Sequence, residues 1–432
     1  MDRFIGDIAS MVAQKWRRHS AGIADSAWIF GPGLIGGPVG LISTIILLRS
    51  FDLDSVGQYF FSLALLGALN GFGLPGLSTA LISSLARGDF YDFVRAARVK
   101  FLASLIVSIG ISVFLLIGGE SALISSRVLI ALAALFPLLS ADCGFQAMNG
   151  LRMFRTHAAL SLLTRLLNLL FLGIAVEFEA RIQSYLVVVW GWQAALNLVT
   201  TGFFYYRFKE AKSSNLQSFH YGLNLTASNI LLQPISQLDK ILVGTLVGTE
   251  SLAVFSVGEK ILAYLKSLGS QLHRIYYPRV ARRSIAETGQ FLVRHCIGWA
   301  LVFLALSGLL ALILPPVFLI ALGSSYLPSA WYAVLFSIAF VLGVPGYFLS
   351  IFFREAHAVK ETYLYSLAKI PLHLLGIFVG GSLGGVGGLP YGRIASVFCH
   401  SLVGLQLGMK VYGTVAHQLE PPPVSVPPSR LV

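Results

Sequence analysis

The sequence predicts an all-α integral membrane protein with twelve transmembrane helices in two six-helix halves. Three observations carry that prediction. The chain has 432 residues, of which 56% are hydrophobic and only 12% charged, with a mean hydropathy of +0.77; soluble domains carry about 25% charged residues. Its apolar residues gather into segments of roughly 20, the length at which a helix crosses a ~30 Å hydrocarbon core. The short connections between those segments alternate between strongly basic and weakly basic from one end of the chain to the other.

Residues 1–24 place Phe4, Ile8, Met11 and Trp16 at near-helical spacing and carry Lys15-Trp16-Arg17-Arg18-His19. That pattern predicts an amphipathic helix on the cytoplasmic membrane surface. The apolar run beginning at Ala24 is too long for a signal-peptide core, so it reads as a retained span. Six spans follow near 25–48, 57–84, 101–119, 127–150, 158–178 and 185–206, forming an N-terminal lobe over 25–206. A cytoplasmic linker, 207–220, leads to six more near 221–247, 251–277, 295–320, 329–352, 362–381 and 387–410, the C-terminal lobe over 221–410. The tail, 411–432, holds Pro421-Pro422-Pro423 and Pro427-Pro428 with little apolar content, and is expected to be disordered and cytoplasmic.

One alternating set of connections holds Arg87, Arg95, Arg98 and Lys100, then Arg152 and Arg155, then Arg207, Lys209 and Lys212, and later Arg274, Arg279, Arg282, Arg283, Arg294, Arg354 and Lys360. The other set holds Arg49, Arg127 and Arg181 beside Asp52, Asp54, Glu120, Glu177, Glu179 and Glu250. The positive-inside rule then places both termini in the cytoplasm. Sliding the chain by 196 positions pairs Leu48–Phe60 with Gly244–Ser256, so that Asp54 meets Glu250 and Tyr59 meets Phe255. Six spans separate the copies, which makes them a parallel repeat of the kind found in transporters.

Several function classes are excluded or disfavoured. Cys143, Cys296 and Cys399 lack metal-site spacing. The chain has no GxxxxGK[ST] loop, no HExxH and no GxSxG, so neither nucleotide-driven transport within this chain nor these enzyme chemistries is expected. The net charge of +12 belongs to membrane topology rather than to a nucleic-acid partner. A membrane polysaccharide polymerase or ligase would need a substantial outward loop, and every such loop here is short.

Polar residues inside the spans carry the functional signal, because charge at membrane depth is costly and usually functional. The stretch from Tyr221 to Arg283 holds Asp239 and Lys240 about ten residues before the turn Gly248-Thr249-Glu250, and Glu259 and Lys260 about ten after it. An antiparallel pair rising ~1.5 Å per residue puts them at one depth, where each acid can meet the other helix's base. Asn229, Gln233, Gln237 and Lys240 share one helix face, with Pro234 available to bend it. Further stripes are Asp142, Gln146 and Asn149; Ser161, Arg165 and Asn168; Gln193, Asn197 and Thr200; Lys369 and His373; and Arg393, Ser396 and His400. Any one stripe can simply hydrogen-bond a neighbouring helix. Together, with Lys260, Lys266, Lys369 and Arg393, they are explained by a shared cationic cavity whose ligand is anionic, a phosphate or diphosphate. Asp239 and Glu259 read either as structural partners of those bases or as carboxylates that exchange H+ or Na+ to couple transport; His373 and His400 are proton-relay candidates.

The segments GLPGLSTALISSLARGD (Gly73 to Asp89) and QLDKILVGTLVGTESLAVFSVGEKI (Gln237 to Ile261) resemble bacterial Wzx-type flippases of the multidrug/oligosaccharidyl-lipid/polysaccharide (MOP) exporter superfamily. The resemblance implies two six-helix lobes around a central cavity that opens alternately to each side of the bacterial inner membrane. It implies a substrate too, undecaprenyl-diphosphate-linked oligosaccharide, with the polysaccharide polymerase and export machinery as partners and no enzyme activity or cofactor beyond a coupling ion. By the resemblance the basic positions Arg165, Lys240, Lys260, Lys369 and Arg393 hold the diphosphate and sugars; the polar stripes add Asn168 and Gln233 as expected substrate contacts, and Asp239, Glu259, His373 and His400 as expected coupling or ion-pair residues. A lipid II flippase and a multidrug exporter share this architecture; the exporter would need a predominantly acidic cavity.

Overall fold

A computed structural model describes residues 35–117, 125–211, 216–280, 285–356 and 358–419. The amphipathic helix expected over 1–24 and the proline-rich stretch from Pro421 lie outside the described residues. Among those described there is no strand. The helices are α1 (Ile35–Ser50), α2 (Leu53–Leu69), α3 (Pro75–Ala86), α4 (Tyr91–Leu116), α5 (Ser126–Leu139), α6 (Cys143–Gly150), α7 (Phe154–Glu177), α8 (Ile182–Phe208), α9 (Leu216–Ile235) and α10 (Leu238–Leu246), followed by α11 (Thr249–Val280), α12 (Ile285–Leu322), α13 (Leu327–Glu355) and α14 (Val359–Leu419). They divide into two compact units at Ile241/Leu242.

Each predicted span overlaps one of these helices, some of them broken; residues 25–34 of the first and 118–119 of the third lie outside the described residues. The second is α2 plus α3, bent by 57° around Asn70–Gly73. The fourth is α5 plus α6, interrupted after Pro137, and the seventh is α9 plus α10, interrupted after Pro234. Proline removes one helical hydrogen bond and crowds the preceding turn, which accounts for both breaks. The last two spans are the two arms of α14, which reverse at Gly384 and Gly385, the latter at φ 56°. Among the described residues, seven helices are long and apolar enough to cross a membrane, and the bent α2–α3 pair makes an eighth. Their outer faces are apolar yet uncovered: Ile106 is 70% exposed, Leu116 86% and Ile320 78%. In lipid such faces carry no hydrophobic penalty, and the helices satisfy their own backbone.

Two expectations need correction. Lys100, assigned to a cytoplasmic loop, sits inside α4 and is buried. The segment after Lys410 is not irregular from its start, because α14 runs on to Leu419; the first proline after Lys410 is Pro421.

In the first unit Phe90 stacks on Phe208 at 4.7 Å, Phe93, Phe204 and Phe208 pack together at centroid distances of 5.6–6.1 Å, and Leu77, Leu81, Leu85 and Phe219 close round them. In the second, α13 packs against α11, α12 and α14, with Phe336 edge-on to Phe255 at 5.4 Å and Phe340 edge-on to Phe303 at 4.9 Å. The α2 and α11 starts, Leu53 and Thr249, differ by the same 196 positions as the sequence repeat. Asp52 caps α2 by accepting the Ser55 N–H at 3.1 Å, and hydrogen bonding from Ser55 holds its carboxyl below the usual carboxylate range. The stabilisation is therefore complete above the unfolded-state pKa and lost as pH falls through the lowered folded-state value. Asp52→Ala is expected to cost about 0.5–1 kcal/mol at neutral pH. Thermal scans of both proteins should show that difference shrinking in acid.

Candidate functional site

In the second unit four charged residues act on one buried ring, that of His373. The α14 arms lie against each other through glycines: a Cβ on Gly376 or Gly392 would strike the other's carbonyl, and one on Gly380 or Gly388 would do the same across that pair. Spacings of four put these glycines on one face of each arm, so the backbones approach as in other small-residue membrane contacts. That approach sets Lys369 and His373 on one arm beside Arg393, Ser396 and His400 on the other. Gly392→Val should separate the arms, lowering both the detergent melting temperature and transport; an unchanged melting temperature would contradict this packing.

Arg393 Nη1 donates to Glu259 Oε1 of α11 at 2.9 Å, and its guanidinium lies 5.3 Å from the Phe336 ring of α13. Both side chains are largely buried, 13% and 11% exposed. Glu259, expected opposite Lys240, thus meets an arginine more than a hundred residues later. Arg393, Lys369, Lys266 and Glu259 all bear electrostatically on His373, whose Nε2 is buried and has no hydrogen-bond partner among the described residues. Among the described residues, cations acting on His373 outnumber carboxylates three to one. His400 is set aside from this group: the ring stacks on Tyr365 at 4.0 Å and Nε2 donates to the Tyr365 carbonyl at 2.8 Å, although Lys369 also acts on it. Lys260 is half-buried on α11.

In the first unit the stripes divide by use. Asn197 Nδ2 donates to the Leu138 and Leu139 carbonyls at 3.1 and 2.9 Å, and Gln193 donates to Asn197. Thr201 bonds the Ala141 carbonyl and the Gly144 N–H. This face of α8 satisfies backbone groups released by the α5–α6 break, a structural role. Gln233 and Gln237 pack over Gly71 and Gly67, and Lys240 Nζ donates to Gln237 Oε1 at 3.4 Å. Asp239 is buried and accepts the Lys240 N–H at 3.0 Å. Arg165 is exposed and lies across Gly36; Asn168 Oδ1 is buried without a partner among the described residues.

One cluster was missed. Lys100 Nζ donates to Asp142 Oδ1 at 2.6 Å and to Ser78 Oγ at 2.5 Å; Ser78 Oγ donates to Asp142 at 2.9 Å and Gln146 Nε2 to its other oxygen at 2.9 Å. The Lys100 side chain is 3% exposed. Lys100, Ser104 and Ser108 step by four along α4 and are all buried, a spacing visible in the sequence and masked by the arginines before it. No group of three metal-ligating side chains occurs among the described residues.

A bundle of this length and apolarity, broken spans included, is a multi-pass membrane protein, and its fold is that of MOP-superfamily transporters. It aligns with an inward-facing multidrug resistance MATE family transporter at a TM-score of 0.66 and 14% identity, covering 89% of this chain and 96% of that one. The outward-facing form of a MATE family transporter gives 0.57 at 16% identity, over 90% and 96%. A MOP superfamily transporter from Pyrococcus furiosus, with a binding pocket of reverse polarity that suggests a different function, gives 0.58 at 15%, over 90% and 96%. No curated protein matches the sequence. The profile of the polysaccharide biosynthesis protein family matches residues 46–331, more than half of the chain, and the protein belongs to that family.

Proposed function

We propose that this transporter is a flippase that carries undecaprenyl-diphosphate-linked oligosaccharide across the bacterial inner membrane by alternating access, with both termini cytoplasmic. The buried Arg393, paired with Glu259 at 2.9 Å, carries the reading, with Lys369 on the other arm of α14. A diphosphate is matched by a guanidinium's paired donors and by lysine point charges, whereas an organic cation would be repelled there. Membership of a polysaccharide biosynthesis family supports a lipid-linked sugar as the cargo. Arg165, Asn168, Gln233, Lys240 and Lys260 are proposed as further contacts, and Asp239, Glu259, His373 and His400 as the groups that orient the cations or take up a coupling H+ or Na+. Polymerase and export proteins are the partners this role requires.

The test is transfer of fluorescent undecaprenyl-diphosphate oligosaccharide across proteoliposomes. Wild type should transfer it, and Lys369→Ala, an exposed position, should slow transfer about tenfold without loss of insertion. Uptake of organic cations in its place would establish a drug exporter.

A further inference from the structure

We infer that a second site, at the far end of the first unit from its basic segments, holds the carbohydrate part of the cargo; this rests on the flippase reading above. A cavity of about 1340 Å3 opens there, larger than the ~300–1,000 Å3 of ordinary small-molecule pockets. Its walls come from three places in the chain: the α1–α2 connection, the start of α5 and the α7–α8 connection. The arginines of the opposite, basic ends, Arg87, Arg155 and Arg207, sit at the other termini of α3, α7 and α8. By the positive-inside rule the cavity faces away from the cytoplasm.

Its lining chemistry selects the ligand. Arg127 and Arg181 are balanced by Asp52 and Glu179, so the formal charge of these four cancels and a diphosphate is better met by Arg393 and Lys369 of the second unit. Gln183 Nε2 donates to Gln58 Oε1 at 2.7 Å, and Gln58 Nε2 donates to Asp54 at 2.8 Å. This chain of amides presents both donors and acceptors, as sugar hydroxyls require. Ser125, also in the wall, has a buried hydroxyl without a hydrogen-bond partner among the described residues. A buried hydroxyl left unpaired is unfavourable unless a ligand or water completes it. A neutral, hydroxyl-rich ligand of oligosaccharide size satisfies volume, charge and hydrogen bonding together.

The experiment uses the full chain in nanodiscs and two probes: oligosaccharide released by mild acid from the lipid-linked pool, and undecaprenyl diphosphate bearing no sugar. Binding of both is measured for wild type, Gln183→Leu, Arg181→Gln and Val188→Trp. Val188 lines the cavity and is 48% exposed, so tryptophan there fills space without removing a polar contact or disturbing the core. The expected result is oligosaccharide binding weakened at least tenfold in all three, with undecaprenyl diphosphate binding and melting temperature unchanged. Oligosaccharide binding at the wild-type level in Val188→Trp, or no oligosaccharide binding by wild type while undecaprenyl diphosphate binds, overturns the site but leaves the flippase reading standing. Failure of wild type to bind either probe removes both.

Discussion

Arg393→Ala is expected to reduce lipid-linked oligosaccharide transfer by at least tenfold, the largest effect on transport of any single change. It removes the guanidinium and leaves Glu259, only 11% exposed, without its 2.9 Å partner. Breaking a buried ion pair from one side costs about 3–5 kcal/mol, mostly through the charge left behind. The single variant therefore loses stability as well as transport. Arg393→Gln combined with Glu259→Gln separates the two effects, since the amides can bond each other and no charge is stranded. The pair of glutamines should recover the melting temperature and stay inactive. Recovery of transport as well would mean that Arg393 serves packing alone and does not touch the diphosphate.

Asp142→Ala should be the most destabilising change in the first unit, by about 3 kcal/mol. Lys100 is almost fully enclosed, and Asp142 supplies the only carboxylate in the network with Ser78 and Gln146. Asp142 itself is 35% exposed, so water compensates part of the pair's loss and places the estimate at the lower end of the range for buried pairs. Lys100→Met in the Asp142→Ala background removes the stranded ammonium and should restore most of the stability. Detergent melting curves of the three proteins check it; a double variant no more stable than the single would show that shape, rather than charge, holds α4 against the α5–α6 break.

The span positions were legible because each depends on local composition alone. The Pro234 break was legible for the same reason, as proline acts on its own turn. Which stripe faces which was not. Gln193, Asn197 and Thr200 look like cavity residues in the sequence, yet Asn197 is committed to the carbonyls of Leu138 and Leu139, whose release by the break after α5 no pattern within α8 can reveal. Glu259 was assigned a partner by depth along adjacent helices; its bond to Arg393, more than a hundred residues later, is one that no local pattern reveals. Lys100 was assigned by its neighbours, since three basic residues in ten look like a loop whether or not the last of them turns inward.

The glycine-to-glycine approach of the α14 arms also has a mechanical consequence. With carbonyls abutting Cα atoms at Gly376, Gly380, Gly388 and Gly392, no side chain intervenes to act as a bearing. Any side chain added at these glycines would collide with the opposite backbone, so the close approach of the arms depends on all four. The spacing of Lys369, His373 and Arg393 is thus set by backbone contact; in the proposed flippase cycle, release of the cargo would have to come from something other than pulling these charges apart.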